Sequence, residues 1–348
     1  MKIGINGFGR IGRAVYRVNM KNNYYFDIPV VNDINPDSAN VAYQLNYDTT
    51  YGNLEDKFVE ENDVLTNSKT SFQVTNHASI DEVDWNSYGV EIVVDASGKK
   101  NNLLLAKKVI AENESVKKVI ITHSPDEVDF TMVIGANNDK LEESYEVISS
   151  SICDATALSP VLKLMYDNFK IAGAAITTVH PLLSYQNVLD GASVSWFDPS
   201  MTYTHYALGR SVFDNIIPKP TTAIEATCKV LGLDASQIAQ FSYRTPNTIV
   251  ASADVTLFLE QETTKEEINK VFNDFVEKQT HKIIKLNCDP IVSLDVKGCE
   301  YSAVVDARWT SVAGGKVVKL VLWYDNEWGY SSRVFDQLKL VQGVIEGR

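Results

Sequence analysis

Apolar residues in the first third of the chain fall in short unbroken runs divided by stretches of helical period. Lys2–Ile5, Ile28–Val31, Ile92–Val94 and Lys118–Thr122 are β-branched runs with almost no polar alternation, the pattern of strands covered on both faces. Arg10–Met20 and Leu103–Ala111 lie among them and read as helices. Strands alternating with helices predict a parallel, doubly wound sheet. Near residue 160 the pattern changes. After a helix predicted over Ala155–Phe169 come Gly173–His180, Ala192–Phe197, Ile249–Leu259, Ala303–Thr310 and Lys316–Trp323. These are longer and partly alternating, which predicts a second, mostly antiparallel sheet. One helix in this half announces its own start: Thr264 and Glu267 form a capping box, and Ile268, Val271, Phe272, Phe275 and Val276 follow at helical spacing.

The turn after the first strand reads Gly7-x-Gly9-x-x-Gly12 and opens a helix. Gly7 permits the tight turn, Gly9 lets backbone approach a pyrophosphate, and Gly12 lets helix pack on strand. The free N–H groups of the helix start then face the phosphates. Asp33 ends the next strand, where a carboxylate accepts both ribose hydroxyls. That favours NAD over NADP, whose extra phosphate would face Asp33. The fold class expected is α/β, a Rossmann-type parallel sheet domain plus an α+β catalytic domain with a mostly antiparallel sheet.

The second chemical signal is Cys153, in Ser-Ser-Ser-Ile-Cys-Asp at the mouth of a predicted helix. A helix N-terminus stabilises a thiolate, and so does a nearby imidazole. A lone cysteine is more often buried and inert, but three serines before it and Asp154 after it do not describe an apolar site. His180, at the end of an apolar strand, is the candidate imidazole. His77, His123, His205 and His281 read as structural histidines, with His123 and His205 candidates for lying near cofactor or site. Cys228 reads as a core position of a helix over Ala223–Leu231, and Cys288 and Cys299 lie near turn residues. Dinucleotide, thiol and imidazole together are the parts for oxidising an aldehyde through a thioester.

Length and charge narrow the classes. The 348 residues are enough for roughly two domains with a core in each. No apolar run approaches the ~20 residues of a membrane helix, and the N-terminus lacks a signal-peptide pattern, so the expected location is the cytoplasm. The net charge of −13 opposes binding to nucleic acid or an anionic membrane. It also requires any phosphate pocket to be a local positive exception. The 4 cysteines form no CxxC and no metal spacing, so neither a disulfide framework nor a metal site is expected. The final Ile-Glu-Gly-Arg, 345–348, resembles a protease-recognition remnant and is left out of the fold reasoning.

These residues resemble the glyceraldehyde-3-phosphate dehydrogenase family over essentially the whole chain. The matching segments are Gly4–Arg13, Val31–Asp33, Tyr47–Gly52, Asn215–Pro218 and Trp323–Tyr330, and the Cys153–His180 interval equals the family's spacing of nucleophile and base. The resemblance implies that Arg10, Ile11 and Asp33 touch the adenosine and pyrophosphate half of NAD, and that Thr122 and Asn326 lie by the nicotinamide. It implies phosphate-binding roles for Thr221 and Arg244. It also implies a homotetramer acting on a small-molecule aldehyde, with an NAD-binding domain over 1–152 completed by a C-terminal helix, 326–344, and a catalytic and tetramerisation domain over 153–325.

Departures cluster around the thiol. Ile152 and Asp154 stand where the family's flanking residues supply hydroxyls to phosphate. Leu183 and Tyr185 replace a phosphate-binding threonine and a nearby acid, and Thr221-Thr222 replaces a threonine–glycine pair. Ser200–Leu208 lacks the arginines of the family's intersubunit loop. An ionised Asp154 about 6 Å from a phosphate charge costs roughly 3 kcal/mol at an effective dielectric near 20. The expected activity is NAD-dependent oxidation of an aldehyde, a sugar phosphate such as glyceraldehyde 3-phosphate leading. A paralogue that hydrolyses its thioester or uses another aldehyde is the alternative, and a non-catalytic NAD-binding assembly protein is the alternative of another class.

Overall fold

In the computed structural model, which describes residues 1–194 and 205–348, the chain divides into two compact units. The first comprises Met1–Met132, Asp139–Ser151 and Val334–Arg348; the second comprises Val133–Asn138 and Ile152–Arg333.

A nine-stranded sheet forms the first unit. Its centre is parallel: Ser71–Thr75, Asp27–Asn32, Lys2–Asn6, Ile92–Asp95, Lys118–Ile121 and Val147–Ser149 lie side by side in that order. The central strands are the apolar runs of the sequence, and Ile3, Ile5, Val30, Val93, Val94 and Ile120 are fully buried. Lys2–Asn6 continues into the helix Arg10–Lys21, while the chain leaves it first toward Asp27–Asn32 and later toward Ile92–Asp95. The strand order therefore reverses beside Asn6, the place where open α/β sheets bind ligands. The last helix, Trp328–Ile345, contributes its residues from Val334 onward to this unit, where Phe335 meets Phe26 edge to face at 5.3 Å.

The second unit is built on an eight-stranded mixed sheet. Ile171–His180 pairs antiparallel with Ala251–Leu259, which pairs antiparallel with Val317–Tyr324. On its other side Ile171–His180 runs parallel to Ile238–Arg244, a strand the apolar pattern does not announce. Two expected strands end early. Ile249 and Val250 stay outside their strand because Val250 bends the chain at φ +70°. Ala303–Thr310 stops at Asp306, whose carbonyl accepts from Trp309 N–H at 3.0 Å and turns the chain. Of the strand expected over Ala192–Phe197, Ala192 and Ser193 are irregular, and 195–197 fall outside the described residues, as do 200–204 of the intersubunit stretch. The capping box at Thr264 and Glu267 is present and starts the helix Lys265–Val276.

The helix Cys153–Asn168 begins two residues before its expected start. Sixteen residues of helix span about 24 Å, and the ten-residue strand Ile171–His180 runs back over about 33 Å. A helix followed by a strand that runs back along it returns the chain toward the helix start. Cys153 and His180 meet for that reason.

Candidate active site

In the first unit the glycine turn has the geometry its spacing predicts. Gly7 sits at φ +86°, and a Cβ there would lie 2.5 Å from Ser97 backbone. A Cβ on Gly12 would lie 2.1 Å from the Gly7 carbonyl oxygen, so helix and turn close only without one. Gly9 differs: nothing lies within 4 Å of its Cβ position, so its open side is available to a ligand. Gly9 is also the N-cap of Arg10–Lys21 and has no side chain with which to cap it. Beside the turn lies a cleft of about 270 Å³, lined by Gly7, Gly9, Asp33, His77, Ser97 and Lys99 among others. Asp33 is held rigidly at its edge, accepting from Phe8 N–H at 2.6 Å and Asn35 N–H at 2.9 Å. A dinucleotide fits this set of residues: open backbone at Gly9, a helix start, and a fixed carboxylate.

The other expected cofactor residues are placed less simply. The Arg10 side chain pairs with Asp48 and lies over the Tyr51 ring at 5.6 Å, so its guanidinium serves the turn from the Tyr47–Gly52 segment. Ile11 is partly buried on the first helical turn. The Thr122 hydroxyl donates to the Asp95 carbonyl at 3.1 Å and does not line the cleft. Asn326 belongs to the second unit, where its Oδ1 accepts from Val250 N–H at 3.1 Å. His77, read in the sequence as structural, lines the cleft.

In the second unit Cys153 is the first residue of its helix, with Ile152 as N-cap. Its Sγ lies 3.6 Å from His180 Nε2, and His180 Nδ1 lies 2.9 Å from the Pro181 carbonyl oxygen. With Nδ1 protonated toward that carbonyl, Nε2 presents a lone pair to the thiol, the arrangement of a general base and its nucleophile. The Arg244 guanidinium, which can only donate, lies against the same Nδ1 and favours the opposite tautomer; it also donates to Pro181 O at 3.0 Å. Burial first, then the Arg244 charge, lowers the His180 pKa to about 4, so the imidazole is neutral at pH 7.

The thiol is not the ready thiolate that a helix start suggested. Burial and then the Asp154 charge push Cys153 up, against the backbone N–H groups and Arg244, which pull it down. The resting pair is thus a neutral thiol facing a neutral imidazole. Asp154 is itself buried; its Oδ1 lies 3.9 Å from Sγ and accepts from the Tyr324 hydroxyl at 2.6 Å. Strand register explains the meeting. His180 pairs with Arg244, Arg244 with Ile217, and Ala251 with Tyr324, so these side chains share one row and one face of the sheet. Val179 pairs with Ser252, which sets Ala251 next to His180 and joins the two halves of that row. Sequence reasoning missed Tyr324, although it lies inside the quoted Trp323–Tyr330 segment; only the register puts it beside Asp154.

Thr221 and Thr222 stand before the helix Ala223–Leu231, and the Thr221 hydroxyl accepts from Ala223 N–H at 3.2 Å. Thr222 is exposed, and neither threonine bonds to Cys153, His180 or Arg244. Cys153, Asp154 and His180 are spaced closely enough to share a cation, but the guanidinium of Arg244 against the imidazole opposes one. Cys228 is buried in its helix, as its position in the sequence indicated. Among the described residues no helix is long and apolar enough to cross a membrane.

Comparison with known proteins agrees with this geometry. Residues 1–103 match the family model described as glyceraldehyde 3-phosphate dehydrogenase, NAD binding domain, and residues 152–326 match that of its C-terminal domain. Glyceraldehyde-3-phosphate dehydrogenase 1 of Bacillus cereus is 34% identical over 340 residues, covering 96% of both chains. The enzyme of Thermotoga maritima is 34% identical over 342 residues, covering 98% of each. Glyceraldehyde-3-phosphate dehydrogenase 1 of Bacillus subtilis is 35% identical over 338 residues, covering 97% of this chain and 96% of its own. The chain is an NAD-dependent oxidoreductase, and NAD is its cofactor.

Proposed function

The chain belongs to the glyceraldehyde-3-phosphate dehydrogenase family, and on that premise we propose that it oxidises a sugar-phosphate aldehyde, glyceraldehyde 3-phosphate or a close relative, through a thioester on Cys153. The observation that carries the reading is the 3.6 Å approach of Cys153 Sγ to a neutral His180 Nε2. His180 takes the thiol proton as sulfur attacks the aldehyde carbon, and a thiohemiacetal forms on Cys153. The backbone N–H groups of Cys153 and Asp154, which already stabilise negative charge on sulfur, lie at the reacting centre. NAD, when bound, supplies the hydride acceptor. Gly7, Gly9, Arg10, Ile11 and Gly12 would hold its pyrophosphate half and Asp33 its ribose, with Thr122 and Asn326 serving the nicotinamide end. The Cys153 thioester that remains is released by phosphate or by water. Ile152, Asp154, Thr221, Thr222 and Arg244 are the residues proposed to meet substrate or acceptor.

Hydrolysis of the thioester is the second reading, and Asp154 favours it. A carboxylate 3.9 Å from Sγ repels a phosphate acceptor but can orient a water. The test is an aldehyde panel followed by NADH formation with and without inorganic phosphate, with the product identified. NADH and free acid in phosphate-free buffer establish hydrolysis; acyl phosphate alone, with no turnover in its absence, refutes it. NADH from no aldehyde under either condition refutes the primary reading. The outward sheet face of the second unit exposes Phe241 and Phe258, which supports assembly into a homotetramer. Membership of this NAD-linked enzyme family supports the cytoplasm as its location.

A further inference from the structure

Lys219 stands on the same sheet face as the thiol's base, one row away. It pairs with Ser242, and Ser242 pairs with Thr178, while Ile217, Arg244 and His180 form the neighbouring row. Paired residues point to one face, and residues two apart in a strand share it, so Lys219 belongs to the face carrying His180 and Arg244. Its neighbours in the row are uncharged: the buried Thr178 hydroxyl donates to Ser242 Oγ at 2.8 Å. Among the described residues Lys219 makes no hydrogen bond or ion pair, although it is partly buried. Asp154, the carboxylate of the thiol site, is occupied by Tyr324. A partly buried cation on the sheet face that carries the thiol's base, with no counter-charge from its own sheet, is an arrangement that a ligand's negative charge completes.

We propose that Lys219 is a specificity-determining residue that binds the oxyanion, a phosphate carried by the substrate or used as acceptor, brought to Cys153. This rests on the reading of Cys153 as nucleophile. It supplies the local positive exception that a chain of net charge −13 needs in order to accept an anion. It also offsets Asp154, whose charge beside the thiol otherwise repels the same ligand. Burial first, then Arg244, lowers the Lys219 pKa to about 8, which leaves the amine mostly protonated at pH 7.

The test needs no dehydrogenase turnover. Cys153 is alkylated in the intact protein with iodoacetate, an anion, and with iodoacetamide, its neutral counterpart, and labelling is read on the Cys153 peptide. The ratio of the two rates cancels the thiol's own ionisation. In Lys219→Gln the ratio should fall about tenfold, the worth of one nearby charge, and in Lys219→Arg it should stay near the wild-type value. Exposed Cys288 in the same samples provides the reference and should not change. Two further arms separate the sources of the oxyanion. Protection of wild-type Cys153 by inorganic phosphate, lost in Lys219→Gln, assigns the acceptor. A KM raised for glyceraldehyde 3-phosphate but not for unphosphorylated glyceraldehyde assigns the substrate's own phosphate. An unchanged labelling ratio in Lys219→Gln with native Cys288 labelling overturns the proposal. Loss of aldehyde oxidation in the wild type with the ratio still falling overturns only the activity, so the two failures are distinguishable.

Discussion

Replacing Asp154 by Asn should make Cys153 more reactive, although it removes a polar charge from a candidate catalytic site. The carboxylate Oδ1 lies 3.9 Å from Sγ, in a buried position. Two unit charges at about 4 Å interact by about 4 kcal/mol at an effective dielectric of 20, an upper bound for this pair. Half of the carboxylate charge sits on the far oxygen, and the Tyr324 hydroxyl draws on the near one. Discounting to about a third leaves roughly 1.4 kcal/mol, a tenfold gain in the thiolate fraction at neutral pH. A thiolate of lower basicity is also a weaker nucleophile, and with a Brønsted slope near 0.45 about a factor of three is returned. The second-order rate of iodoacetamide alkylation at Cys153, at pH 7, should therefore rise about threefold or more. Tyr324→Phe should move it the other way, because the carboxylate loses its hydroxyl donor and its full charge acts on sulfur. Opposite signs in the two variants distinguish electrostatics from loosened packing. No change in Asp154→Asn, or a slower rate, would mean that Asp154 does not act on the thiol as a charge.

Other outcomes are fixed by the same geometry. Cys153→Ser should abolish aldehyde oxidation while leaving NAD binding, measured by protein fluorescence quenching, unaltered; His180→Asn should slow single-turnover NADH formation by roughly 10²–10⁴-fold. His180 also ties stability to pH: its folded pKa of about 4 lies below the ordinary 6.5, so the unfolded chain binds the proton first. The stability held above pH 6.5 should be lost as pH falls toward 4, by up to roughly 3 kcal/mol, and urea titrations of His180→Gln should show a shallower acid limb. NAD should be preferred over NADP by at least about tenfold in kcat/KM, with Asp33→Ser closing the gap; equal use of both by the wild type would place Asp33 away from the ribose.

Much of the first unit is readable along the chain because its signals are local. The glycine turn, the strand before it and Asp33 lie within one strand–helix–strand segment; Gly7 and Gly12 have a steric reason visible in the fold, and Gly9 leaves its backbone open. Cys153 and His180 are also legible, since a helix followed by a strand that runs back along it returns the chain toward the helix start. What could not be read depends on which strands become neighbours. Ile238–Arg244 alternates weakly, yet as the parallel partner of Ile171–His180 it delivers Arg244 to the imidazole. Tyr324 and Asp154 are 170 positions apart in the chain, and no local pattern links them. The ionisation of Cys153 could not be read from its helix start and the adjacent Asp154 alone, because burial, which only tertiary packing sets, raises its pKa most.

The departures around the thiol form a charge system rather than a set of losses. Asp154 alone would raise the thiol's pKa and repel an anionic partner, two defects from one substitution. Tyr324 takes one carboxylate oxygen, which lowers the charge that sulfur feels. Arg244 favours the thiolate and disfavours an imidazolium, so it keeps His180 in the form that accepts a proton. Lys219, one row away on the same sheet face, adds a second cation. Two cations around one carboxylate leave the pocket positive by about one charge while the thiol is protonated, and near neutral once it ionises. Such a site holds an anionic ligand before attack and releases that grip as negative charge builds on sulfur or oxygen. The residues that set this balance lie on one helix and three strands, so substitutions among them should be strongly non-additive, with Asp154 and Lys219 the pair of opposite sign whose effects on anion binding offset each other.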